Sequence, residues 1–261
     1  MNKVILSVLL VCMVVPMVLS DETVTEGIQV KGIVTPLNIS IVPPITIFSK
    51  PIIKGVDFGF ITASAKRISG LQIACLGCKS KEVVKGIQIG ILPITENDFK
   101  GLQLVLLGYP ITDVPFNNVG GSLQGIQAGL VLVGTNYLKG FQISSCNYVK
   151  NDGIGIQIGI GNLAKEFTGF QCGLINAYEN TEEFWAMKII RYRGIQFGLL
   201  ANLTKVCSGV QIGGLNISDK ITGLQVGYIN YCKYLNGVQI GILNIATKSP
   251  IPAMIGVNAA W

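Results

Sequence analysis

From Gly27 to Asn244 the chain repeats one short pattern of alternating positions: a glycine, an apolar residue, a glutamine and a fourth residue, usually apolar. Copies begin at Gly27, Gly70, Gly86, Gly101, Gly125, Gly140, Gly155, Gly169, Gly194, Gly209, Gly223 and Gly237, and Gly55 opens another with Asp57 in the glutamine place. Of 13 glutamines only Gln124 stands outside the pattern. From Gly70 onward the copies follow one another at 14 to 16 residues, lengthened twice to 24 and 25. The best copies, such as Gly223-Leu-Gln-Val-Gly-Tyr-Ile-Asn230 and Gly237-Val-Gln-Ile-Gly-Ile-Leu-Asn244, give the consensus GhQhGhhN, with h apolar. Strict alternation over the first five positions predicts a strand whose two faces differ. Glycine and glutamine share one face. At the seventh position the alternation slips and an asparagine follows, as where a strand turns a corner. The remaining six or so residues mix turn formers with an apolar residue and predict a bend and a short return strand.

A unit of this kind fits two architectures. In a β-solenoid with coils of 14–15 residues, identical positions stack, the apolar positions fill the interior and glycine and glutamine form a flat outer face. Thirteen coils would make a rod of about 60 Å. The stack would carry amide ladders through Gln72, Gln88, Gln103, Gln127, Gln142, Gln157, Gln171, Gln196, Gln211, Gln225 and Gln239, and through Asn147, Asn162, Asn176, Asn216, Asn230 and Asn244. On this assignment Ile240→Asp unfolds the last coils and Gln239→Ser costs far less. The alternative is an outer-membrane antiparallel β-barrel with one repeat per strand. The common polarity of all units and the slip at position seven favour the solenoid. A mean hydropathy of +0.54 and the alternating Ile255, Val257, Ala259 and Trp261 speak for the barrel. The expected division is a signal peptide over 1–20, an N-terminal edge or capping segment over 21–54, the repeat domain over 55–249 with insertions at 109–124 and 177–193, and a closing strand over 250–261.

Residues 1–20 place Lys3 before an apolar run from Val4 to Leu19 that ends in Val18-Leu19-Ser20, the layout of a secretory signal cut after Ser20. Its removal takes away Lys3 and no acid, so the formal charge falls from +6 to +5. The basic residues are scattered among turns, which is no nucleic-acid footprint. The chain has no histidine, which closes serine and cysteine triads and histidine-ligated zinc. Six cysteines follow the leader, and only Cys75 and Cys78 form a C-x-x-C. They read as small buried hydrophobes, with disulfides as the alternative in an exported chain. Motifs for phosphate, metal or acyl chemistry are missing, and Asp98, Asp113, Asp152 and Asp219 lie in separate turns. No catalytic residue, metal ligand or cofactor site is expected. Sequons at Asn38, Asn202 and Asn216 are by-products of the repeat.

The tandem GxQxGxxN units resemble the bacterial surface-repeat-containing proteins, over roughly Gly27 to Trp261. The resemblance implies export to a bacterial cell surface or outer membrane, and transfers no catalytic or binding residue. Departures cluster early, where Lys31, Ala74 and Val105 replace the second glycine and Gly77, Pro93 and Gly108 replace the asparagine. The function expected is a non-enzymatic surface scaffold with an envelope or host-surface partner. Alternatives are a porin-like barrel passing small solutes and an envelope polysaccharide enzyme. Loops added to a repeat scaffold are the usual place for binding. The second insertion gathers Phe184, Trp185, Lys188, Arg191, Tyr192 and Arg193 as a candidate partner-contact loop.

Overall fold

The computed structural model describes residues 34–42, 45–46, 52–107, 118–177 and 189–261. The chain winds as a β-solenoid. Each repeat lies parallel to the one before it and in register, so that Gly125, Ile126 and Gln127 pair with Gly140, Phe141 and Gln142. Those pair in turn with Gly155, Ile156 and Gln157. The antiparallel barrel is therefore not the fold, because consecutive repeats run the same way along the whole stack.

The stack keeps its register across both insertions. On either side of residues 108–117, Gly101 still pairs with Gly125, and across residues 178–188, Gly169 still pairs with Gly194. The first described rung, Val34–Val42, pairs parallel with Ile52–Gly59. The last coil is closed by Ala253–Ala260, which turns back antiparallel and sets Asn258 against Gln239 and Val257 against Ile240.

The two faces of the strand are the reverse of the expected assignment. Every glutamine from Gln72 to Gln239 in the repeat is fully buried, whereas the flanking apolar residues look outward: Ile126, Phe141 and Ile240 are 43%, 44% and 42% exposed. The expected order of Ile240→Asp and Gln239→Ser is reversed with them. The interior still has an apolar row, supplied by the residue two before each glycine. Ile53, Ile68, Val84, Phe99, Leu123, Leu138, Phe167, Tyr192, Cys207, Ile221 and Leu235 stack along it as one core. The reason is that an amide whose hydrogen bonds are all met inside loses little on burial. The stack supplies each glutamine with an identical partner one rung away.

The conserved spacing within each unit follows from this packing. Gly155 has φ +142°, and a Cβ on it would lie 1.9 Å from the carbonyl oxygen of Gly140 in the rung below. Side chains are excluded there on both counts. The second glycine makes room for an amide: a Cβ on Gly159 would lie 2.6 Å from Nδ2 of Asn147. In early coils, Ala74 and Val105 take that place. Positions near the corner are then filled by buried Thr62, Cys78, Ser80 and Thr95 instead. The glycine and glutamine rungs nevertheless keep their register in these coils.

Candidate functional site

Two rows of buried amides run along the stack in opposite senses, one from Gln72 and the other from Asn147. In the glutamine row, each Nε2 donates to Oε1 of the preceding rung, from Gln239 onto Gln225 back to Gln88 onto Gln72, at 2.6–2.9 Å. In the asparagine row, each Nδ2 donates forward, from Asn147 to Asn162, Asn176, Asn202, Asn216, Asn230 and Asn244, at 2.8 Å. The second N–H of Asn162, Asn202, Asn216 and Asn230 goes to the carbonyl oxygens of Cys172, Ile212, Val226 and Ile240.

The closing strand ends both rows. Asn258 Nδ2 donates to Gln239 Oε1 at 3.5 Å, and Asn244 Nδ2 donates to the Gly256 carbonyl at 2.9 Å. Asn202 belongs to the asparagine row although the consensus spacing misses it. One extra residue in Leu199-Leu200-Ala201 moves it to the ninth place, and the pairing shifts to match Asn176 with Asn202. The sequon asparagines Asn38, Asn202 and Asn216 are all buried.

At its N-terminal end the glutamine row meets a carboxylate. Asp57 is fully buried and accepts from Gln72 Nε2 at 2.8 Å and from Asn38 Nδ2 at 2.9 Å. Burial pushes its carboxyl above the ordinary value, and the two donated hydrogen bonds offset part of that rise. Asn38 Oδ1 beside it has no hydrogen-bond partner among the described residues. Because the folded chain holds the proton more tightly than the unfolded chain does, this group's stabilisation is complete below pH 3.8. It is lost as pH rises through the raised folded value. Asp57→Asn should remove that loss, since the new amide accepts from Gln72 and, with the Asn38 amide turned over, donates to the Asn38 oxygen. Thermal unfolding followed by circular dichroism should show a higher midpoint at pH 7 and little change at pH 3. A lower midpoint at pH 7 would mean that the charge itself holds the first rungs.

The candidate contact loop is divided by the structure. Phe184, Trp185 and Lys188 lie outside the described residues. Arg191 pairs with Glu166 at 3.5 Å across two rungs on the surface. Tyr192 is not a contact residue: it is fully buried, stacked on Phe167 at 6.2 Å between ring centroids. Its hydroxyl is 2.8 Å from the Gly169 carbonyl and 2.6 Å from that of Ile195. The large ring fills the apolar row between Phe167 and Cys207. Arg193 sits just before Gly194 on the outer face.

All six described cysteines are free thiols. Cys207 and Cys232 occupy inward slots, where burial pushes each thiol up to about 12. Cys78 is raised further by burial and by the Asp57 charge. Such thiols are poor nucleophiles. Asp98, Asp152 and Asp219 precede Gly101, Gly155 and Gly223, and Asp113 lies outside the described residues. Asp98 accepts from the backbone N–H and hydroxyl of Ser122, and Asp219 pairs with Lys233. Three and four coils separate the three acids, about 14 and 19 Å at the stacking repeat. These three acids are therefore too far apart to act with one another as the carboxylate pair of glycoside hydrolysis, which works at roughly 5–9.5 Å.

Comparison of the chain with protein-family models, with curated proteins and with solved structures finds no match.

Proposed function

We propose that the protein is a non-enzymatic surface scaffold of a bacterial envelope, acting through the faces of its rod. The supporting observation is where the polar chemistry goes. The repeated amides hydrogen-bond to one another inside, so what each coil offers to another molecule is its outer rows. A leader-like segment at 1–20 and the resemblance to exported surface-repeat proteins support the compartment. Passage of solutes along a glutamine-lined lumen loses its basis, because the glutamines fill the interior and bond to one another.

Expression with the leader in a diderm bacterium tests the reading. The expected product begins at Asp21, fractionates with the envelope and is cut when protease is added to intact cells. A full-length product retained in the cytoplasm would overturn it.

A further inference from the structure

The rod is amphipathic from side to side, although the sequence alternates within each strand. In the twelve units from Gly55 to Gly237, the second, fourth, sixth and seventh positions all face outward or form the adjoining corner, and none of them holds a charged residue. Isoleucine, leucine, valine and phenylalanine dominate. Ile143, Ile158, Ile195 and Phe197 are 45%, 42%, 46% and 40% exposed. A shallow groove of about 530 Å³ among Ile89, Ile91, Leu104, Leu106 and Leu130 belongs to the same face. Twelve strands at about 4.8 Å and five residue steps at about 3.3 Å give a face of roughly 900 Å². The largest apolar patch on an ordinary monomer is about 300–600 Å². The closing strand continues this face with Val257, set beside Ile240.

Charge is arranged around the face in a way that selects the partner. The position just before each glycine lies on the same outward side and forms one long edge. It holds Lys54, Lys85, Lys100, Lys139 and Arg193, with no acid in the row. Among the described residues none of these five is in an ion pair. The cations beyond this edge are matched: Lys66 and Arg67 with Glu82, Lys79 with Glu96, Arg191 with Glu166, and Lys233 with Asp219. Trp261, 90% exposed, follows Ala260, which pairs with Gly237. That register places the indole at the end of the cationic edge. Tryptophan favours the boundary between headgroups and acyl chains.

We infer that this face docks on a lipid surface, with the apolar rows in the acyl boundary and the lysine edge against anionic headgroups. An anionic membrane supplies, along the whole edge, the negative charge that the row lacks. The inference deepens the scaffold reading and rests on it for the identity of the membrane. Docking itself is measured on vesicles, so its failure leaves the export result standing.

The test is flotation of the purified full chain with phosphatidylcholine vesicles that contain or lack phosphatidylglycerol. Two variants are compared with it, both checked for the β spectrum by circular dichroism. One carries Lys54→Gln, Lys85→Gln, Lys100→Gln and Lys139→Gln; the other carries Phe141→Ser, Ile143→Ser and Ile158→Ser. The parent should float with anionic vesicles and lose binding in high salt. Each lysine near an anionic surface is worth about fivefold, so the first variant should bind at least about a hundredfold more weakly. The second should lose binding to the anionic vesicles. Binding that survives in both variants would place it in the apolar leader and overturn the inference. So would a soluble dimer that ignores vesicles and that the serine variant splits, which would give the face to a second copy.

Discussion

Gly155→Ala should destabilise the rod by about 3–5 kcal/mol, the range of changes that force a side chain into a strained and occupied position. At φ +142° an L residue pays backbone strain. Its methyl would also stand 1.9 Å from the Gly140 carbonyl oxygen, an atom fixed in the rung-to-rung pairing. Neither partner can yield without opening the ladder on both sides. Gly256 separates the two effects. It also has positive φ, +86°, but among the described residues nothing lies within 4 Å of the position its Cβ would take. Gly256→Ala should therefore cost only about 1–2 kcal/mol, the backbone part alone. Denaturant unfolding followed by circular dichroism measures both. Equal costs would show that crowding between stacked glycines contributes nothing. Because each coil touches mainly its neighbours, the Gly155 variant should also melt in more than one step.

Much of this architecture is legible in the sequence. The alternation fixes strands, the constant spacing and polarity fix parallel stacking, and the glutamine repeat fixes a ladder. What alternation alone does not decide is which face is inside. Hydrophobicity suggests that Ile240 is buried and Gln239 is not, and here that rule fails because the stack satisfies the amides. Two features of the same sequence point the right way. Lys54, Lys85, Lys100, Lys139 and Arg193 share the parity of the apolar flanks, and lysines seldom line a closed core. Ile68, Val84, Phe99, Leu123 and Leu138 share the parity of glutamine, two residues before each glycine. The burial of Tyr192 follows from that same parity. Asn202 is hidden for a different reason, since a one-residue bulge moves it off the consensus spacing and only the pairing reveals it.

Gln171→Leu should cost about 4 kcal/mol, although it replaces a polar residue by an apolar one in a closed interior. Gln171 donates to Gln157 at 2.6 Å and accepts from Gln196 at 2.9 Å. Its loss leaves one buried oxygen and one buried N–H group without their ladder partners, each worth about 1–3 kcal/mol. The double variant Gln157→Leu with Gln171→Leu still leaves only one of each, now Gln142 Oε1 and Gln196 Nε2. It should therefore cost little more than either single change. A double-mutant cycle in urea would then show a coupling of about 3 kcal/mol in favour of the pair. On the outer face, Ile240→Asp should shift stability in water by less than about 1 kcal/mol. Additive costs at Gln157 and Gln171 would mean that each amide is held by its own coil. Strong coupling would mean that the row is one cooperative element, with its ends set by Asp57 and Asn258 rather than by any single repeat.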